Sequence, residues 1–358
     1  MSSTYGNRIR FSIFGQSHGE KIGCVIDGLP AGEAVDLEAL YRFMARRAPG
    51  KRLTTQRRET DRPYVLSGLF EGRTCGAPLC VLIDNQDTHS ADYDRLRDVP
   101  RPGHADYPAF VKWHGYQDHR GGGHFSARLT APLCAAGGIL MQMYERRGIR
   151  IGAHLYSVGA AQDLAFDPVN VTPEDLCAVG DDFPTLSAER GMQMQAVVEE
   201  ARRNGDSVGG IVECAVLGLP VGLGGPIFDG LENAIAHAVF AVPAVKGIEF
   251  GEGFHAARLK GSENNDPYWM EGDTISLTSN HAGGILGGLS NGMPLIFRAA
   301  FKPTPSIAME QASVSLRDRR DERLSITGRH DPCVAIRAVP CVEAAAALAL
   351  ADFCLPND

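Results

Sequence analysis

Several features that would settle the class of this chain at once are missing. No apolar run reaches the ~18–20 residues a bilayer-spanning helix needs. The longest, 344–350, is short and alanine-rich and suits a packed helix. No Cys-x-x-Cys pair occurs, and the nine cysteines are scattered and odd in number, so a disulfide framework or thiolate zinc site is not indicated. Buried, reduced thiols are expected instead. Positive charge is in deficit too: a net charge of -8 argues against a general nucleic-acid binder. No G-x-G-x-x-G follows a strand to open a helix, and no P-loop occurs, which removes the common nucleotide folds. The first residues, Met1 to Asn7, lack the apolar core of a secretory signal, so a cytoplasmic protein is expected.

What is present includes an internal repeat. Gly15-x-Ser17-x-Gly19, Cys24 and Gly28-Leu29-Pro30-x-Gly32 recur 190 positions later as Gly205-x-Ser207-x-Gly209, Cys214 and Gly218-Leu219-Pro220-x-Gly222. A helix opening with Leu-Glu follows each copy, at Leu37-Glu38 and Leu231-Glu232. The pattern reads as one domain over 1–358 with two internal halves, roughly 6–150 and 190–353. Its period is far too long for a solenoid.

Alternating or β-branched runs predict strands at 10–14, 23–27, 64–69, 78–83, 210–217, 274–278, 295–300 and 333–339. Periodic runs predict helices at 36–47, 131–147, 188–203, 231–240 and 342–353, with Ser187 capping the third and Asn204-Gly205 ending it. Strands often follow strands, which favours a layered α+β fold over regular βαβ winding.

Charge and glycine cluster where chemistry is expected. Between Arg42 and Arg62, eight Lys or Arg residues face only Glu59 and Asp61, which suggests a site for a small polyanion. Four segments join glycine to a cation or imidazole: 14–19, 101–106, 120–128 and 328–332. The triple glycine 121–123 ahead of a helix could aim several N–H groups at an anion, and Arg128 could clamp it bidentately. Histidine suits proton transfer to a leaving phosphate. A serine-hydrolase elbow at Ser17 is disfavoured, because the motif follows directly on a first strand. The five-residue spacing of His114, His119 and His124 places no metal set on one helix face.

Taken together these blocks resemble the chorismate synthase family from about residue 6 to 353. The resemblance is carried by Phe14-Gly15-Gln16-Ser17-His18-Gly19, Thr54-Thr55-Gln56-Arg57-Arg58-Glu59, Arg101-Pro102-Gly103-His104-Ala105-Asp106 and Arg120-Gly121-Gly122-Gly123. Ser279 to Gly288, Lys302-Pro303-Thr304-Pro305-Ser306 and Gly328-Arg329-His330-Asp331-Pro332-Cys333 complete it. The implied fold is a single-domain β-α-β sandwich, helices between two antiparallel sheets, usually as a homotetramer. The implied reaction is anti-1,4-elimination of phosphate from 5-enolpyruvylshikimate 3-phosphate to give chorismate, the last common step of the shikimate pathway. It has no net redox change yet requires reduced FMN, for which the protein supplies binding, orientation and electrostatics.

Residue by residue, the resemblance implies catalytic roles for His18 beside the leaving phosphate, His104 as a cation by the flavin ring, and Asp331 as a proton acceptor. Substrate contacts fall to Ser17, Arg47, Arg52, Arg128 and Arg329. FMN contacts fall to His124, Phe125, Ser126, Pro243, Ala244, Gly287, Lys302, Pro303, Thr304, Pro305, Ser306 and Arg329. Gln16, Leu129, the His124-Phe125 pair and Pro243 depart from the family pattern. Some family members also oxidise NADPH to reduce their flavin, so an NADPH-dependent flavin reductase is one rival reading. A non-catalytic paralogue binding FMN or a polyanion is the other. No nucleic-acid or membrane partner is expected.

Overall fold

The computed structural model describes residues 3–50, 52–55, 59–86, 95–180, 183–326 and 330–356. The alternating runs fold as two antiparallel sheets. The first contains β1 (Thr4–Tyr5), β2 (Arg10–Gly15), β3 (Lys21–Asp27), β4 (Tyr64–Ser67) and β5 (Leu79–Asp84), in the order β1-β2-β3-β5-β4. The second contains β6 (Arg150–Val158), β7 (Ala161–Gln162), β8 (Gly210–Leu217), β9 (Val245–Phe250) and β10 (Leu295–Phe301), in the order β9-β10-β8-β6-β7.

Strands β2-β3-β5-β4 and β6-β8-β10-β9 thus follow the same antiparallel order. The repeated motifs occupy matching places. Cys24 lies opposite Ile13 and Val81 in the middle of β3; Cys214 lies opposite Ala153 and Phe297 in the middle of β8. Gly28 and Gly218 end the two strands at φ 81° and 79°. A Cβ there would come within 2.4 Å of the Arg8 carbonyl and 2.2 Å of the Gly148 carbonyl, so both turns need glycine.

Six α-helices of seven residues or more occur among the described residues: α1 (Leu37–Arg47), α2 (Asp106–Lys112), α3 (Thr130–Glu145), α4 (Ala188–Arg203), α5 (Leu231–Val239) and α6 (Ala335–Cys354). Asp36 caps α1, its carboxylate accepting from the Glu38 and Ala39 N–H groups at 2.8 and 3.0 Å. Ser187 and Asn204 bound α4 as its sequence predicts. Helix α3 packs on β3 and β5, α6 packs on β6 and β8, and the two helices pack on each other. The layers are therefore sheet, helices, sheet, with α1 and α5 beside the central pair. Helix α6 is buried at 16 of its 20 positions, as a helix apolar on all sides must be. Gly137 lets α3 approach it: a Cβ there would lie 2.4 Å from Ala344 Cα.

Three expectations change. The predicted strand at 333–339 is the first part of α6, which runs through Pro340 without a break. The β-branched residues and the proline suggested a strand and a stop. Proline removes one i→i−4 hydrogen bond, and burial of the helix within the sandwich outweighs that loss. Strands β6 and β9 and helix α2 are not anticipated by periodicity; Gly152 and His154 interrupt the apolar run of β6. All nine cysteines are free, but Cys75 and Cys177 are exposed rather than buried. No helix among the described residues is long and apolar enough to cross a membrane.

Candidate active site

The C-terminus of α1, the loops 101–105, 121–128, 241–244 and 302–306, and the approach to α6 enclose a cavity of about 430 Å³. Arg47, the last residue of α1, and Arg128, just ahead of α3, both line it and are both nearly buried. Arg47 Nε donates to Thr130 Oγ1 at 3.0 Å, and its Nη2 to the Ala127 carbonyl at 3.1 Å. Arg128 Nε donates to Asn85 Oδ1 at 2.8 Å, and its Nη2 to the Asp84 carbonyl at 3.1 Å. One carboxylate, Asp61, accepts from Nη1 of both. Burial opposes ionisation of Asp61, but the two guanidinium groups outweigh it and hold the carboxyl below its ordinary range. Glu59 stands 3.6 Å from Arg128.

On another wall, Asp106 at the start of α2 accepts from Arg101 Nε at 2.7 Å and from His104 Nδ1 at 2.5 Å. Nδ1 also lies 3.1 Å from Arg101 Nη2, and Nε2 faces Gly122, 3.1 Å from where a Cβ would stand. Burial lowers the proton affinity of His104, with Arg101 and Lys302 adding to the effect against the pull of Asp106. Arg101 and Lys302 bring further basic groups to this wall. Lys302 Nζ donates to the Gly103 carbonyl, and Arg101 Nη1 to Ser306 Oγ at 3.2 Å.

Ser17 and His18 are buried behind Gly121, which lines the cavity. Gly121, Gly122 and Gly123 all have positive φ, at 59°, 84° and 54°. A Cβ at Gly121 would lie 2.2 Å from His18 Cε1 and 2.6 Å from Ser17 Oγ. The triple glycine thus makes room for the Ser-His turn, and Ser17 N–H donates to the Gly123 carbonyl at 3.1 Å. The side-chain amide of Asn85 ties that turn to Arg128, donating to the carbonyls of Gln16 at 3.1 Å and Gly19 at 2.7 Å.

Asp331 lines the side near α6. Its Oδ1 accepts the Thr55 N–H at 2.7 Å and its Oδ2 accepts Arg337 Nη1 at 2.8 Å. Arg337 Nε also donates to the Arg47 carbonyl at 2.9 Å, joining this corner to the arginine pair. The remaining wall is more apolar: Phe125, Pro243, Ala244 and Pro305 line it beside His124, Ser126, Thr304 and Ser306. His124 Nδ1 is 2.8 Å from the Gly15 carbonyl, and Phe125 tilts against Trp113. Leu129 packs into the main core.

Most residues that the resemblance singles out thus converge on one cavity. Pro303 is not among its lining residues, and Gly287 sits in an exposed turn elsewhere. Arg52 is 73% exposed and pairs with Glu199 at 2.6 Å. Arg329 lies outside the described residues. The basic segment divides: Arg47 lines the cavity, Arg46 pairs with buried Glu343, and Arg62 stacks over Tyr41. Sequence reasoning missed Asp61, Asn85, Thr130 and Arg337 as parts of the site. The only available signal for Asp61 was an acid among eight cations.

A cavity with buried guanidinium groups on one side and apolar surface on the other is chemically suited to a small anionic molecule. The model of a known family, described as chorismate synthase, matches residues 9–355. A chorismate synthase from Lancefieldella parvula is 47% identical over 98% of this chain and 96% of its own length. One from Thermococcus kodakarensis is 46% identical over 98% and 97%. A solved crystal structure of chorismate synthase superposes with a TM-score of 0.74 at 27% identity, covering 97% of this chain and 91% of that one. The chain belongs to the chorismate synthase family, whose members are lyases.

Proposed function

We propose that the protein converts 5-enolpyruvylshikimate 3-phosphate to chorismate, eliminating the 3-phosphate and a C6 hydrogen, with reduced FMN bound in the same cavity. The observation that carries this reading is the preformed pair Arg47 and Arg128 in one cavity with His104, Asp331 and an apolar wall. The residues fit a flavin beside the anion: Phe125, Pro243 and Ala244 offer apolar contact to a flat ring, and Lys302 offers charge at its edge.

Each residue then has a physical task. Arg47 and Arg128 hold the phosphate or carboxylates through the guanidinium hydrogens their protein bonds leave over. His18, buried behind Gly121, neutralises the departing phosphate when its imidazole is protonated. Reduced FMN, when bound, supplies electron density while the carbon–oxygen bond breaks and a basic nitrogen for the proton. Asp331, fixed by Thr55 and Arg337, accepts a proton at a carboxylate oxygen. Closing the cavity around the ligands keeps water from the reacting carbons. The enzyme would serve aromatic biosynthesis in the cytoplasm.

A homotetramer is part of the proposal. Tyr268, Trp269, Met270 and Ile275, exposed on the antiparallel hairpin 268–277, support it by leaving apolar surface for another copy. Equilibrium titration tests the ligand assignment. Oxidised FMN should lose fluorescence on binding, and saturating substrate should tighten that binding by about tenfold or more, a coupling of roughly 1.4 kcal/mol. FMN affinity indifferent to the substrate would contradict a shared cavity. Parallel samples supplied with NADPH decide whether the enzyme reduces its own flavin.

A further inference from the structure

Asp61 lines no part of the cavity and belongs to none of the motifs. Its side chain is 0% exposed, yet each of its oxygens takes one of the two cavity arginines. Those arginines come from different elements, Arg47 from the end of α1 and Arg128 from the turn before α3. Like charges so placed repel, and burial in a weak dielectric strengthens the repulsion. Asp61 reaches between them from a backbone at φ 48°, in the left-handed region where a non-glycine residue is uncommon.

The other bonds complete the arrangement. Thr130 and the Ala127 carbonyl hold two edges of Arg47; Asn85 and the Asp84 carbonyl hold two edges of Arg128. Of the five N–H bonds on each guanidinium, three are committed to the protein. One hydrogen on each terminal nitrogen makes no hydrogen bond to the protein, although Arg128 Nη2 also has the Glu59 carboxylate at 3.6 Å.

We propose that Asp61 is a positioning residue, locking Arg47 and Arg128 side by side before ligand arrives so that together they form a ready-made fork for a phosphate or carboxylate. The inference rests on the proposed reaction for its substrate but not for its test, because inorganic phosphate alone probes the fork. An anion meeting two fixed guanidinium groups loses little further conformational freedom, so the advantage belongs to binding. It should act on the Michaelis constant more than on turnover.

Calorimetry with inorganic phosphate on the ligand-free protein is the direct experiment. Asp61→Asn keeps the shape of the side chain and removes its charge. It should weaken phosphate binding by about tenfold or more and leave oxidised FMN binding within about threefold, as expected for loss of a preorganised charge pair. With the full substrate, KM should rise by a similar factor while kcat stays within about threefold. A folded Asp61→Asn protein that binds phosphate as tightly as the unsubstituted one overturns the proposal. So does failure of the unsubstituted protein to bind phosphate. Phosphate binding lost in the variant, with no chorismate formed by either protein, would uphold the fork and sink the proposed reaction. Should Asp61→Asn not fold, nitrogen-15 spectra of arginine side chains in the unsubstituted protein decide. Two guanidinium groups with hindered rotation are expected before any anion is added, and free rotation of both overturns the proposal.

Discussion

His18 and Asp331, the two side chains proposed to handle protons, are held very differently. His18 is buried against Gly121, where a Cβ would lie 2.2 Å from its ring. Asp331 is held by a backbone N–H and a guanidinium that also reaches Arg47. His18→Ala should therefore leave the fold intact and lower kcat by about 10²–10⁴, the usual range for a lost proton donor. Circular dichroism and steady-state rates check it; a loss below about threefold would remove His18 from the mechanism. Such residues were legible because they sit in local motifs where glycine, histidine and aspartate occur side by side. Asp61, Asn85 and Arg337 were not, because their roles depend on partners 14 to 69 positions away, such as Arg47, Arg128 and Gln16, or on α6 being a helix. Composition around Asp61 suggested a polyanion site, but could not tell which of the eight cations line the cavity.

Helices and turns carry constraints of their own. The triple-glycine turn is an element whose backbone conformation, rather than any side chain, makes the site. Gly121→Ala would force a Cβ onto His18 and demand a left-handed alanine, so activity should fall by at least tenfold with a stability loss of about 1–3 kcal/mol. Full activity in that variant would show that the turn can relax without moving His18. Helix α6 depends on Glu343, which is buried, takes Arg46 bidentately at 2.6 and 2.7 Å, and accepts the Ala153 N–H at 2.9 Å. Glu343→Gln weakens that pair, whose Arg46 side is 36% exposed, and should cost about 1.5–3 kcal/mol in urea unfolding. A change under 1 kcal/mol would mean the pair is solvated. Periodicity read four of the six helices close to their ends. It misjudged the start of α6 because a β-branched run and a proline carry the same local signal in a strand–turn as in a helix buried on all sides.

Across the whole molecule, the two five-stranded sheets share an antiparallel strand order, and the cavity draws on residues from Arg47 to Arg337. The repeat was visible because turn glycines cannot be replaced where carbonyls approach within 2.4 Å. Strand β6 was not, because its centre carries a buried charge network instead of apolar residues. There His154 lies between Glu213 at 2.9 Å and Asp163 at 3.3 Å, and Glu213 also accepts Arg298 Nε at 2.8 Å. Burial lowers the proton affinity of His154, but the two carboxylates outweigh it and raise its pKa above the ordinary value. A raised histidine contributes stability that is complete below its unfolded pKa of ~6.5 and lost as pH rises through the folded value. Tm should therefore decline as pH rises above ~6.5. His154→Gln should start lower but lack that decline; an equal alkaline slope in both proteins would assign it to another group. Asp61, Asp163 and Glu213, all held below their ordinary range, act with the opposite sign and lose their contribution only in acid.

The measurement that bears most directly on the central claim is anaerobic turnover of purified protein with 5-enolpyruvylshikimate 3-phosphate and dithionite-reduced FMN, following chorismate by its ultraviolet absorbance. Chorismate and one equivalent of inorganic phosphate are predicted, with no reaction when the flavin is left oxidised. Folded protein that binds FMN and substrate yet releases no phosphate under these conditions would contradict the assignment.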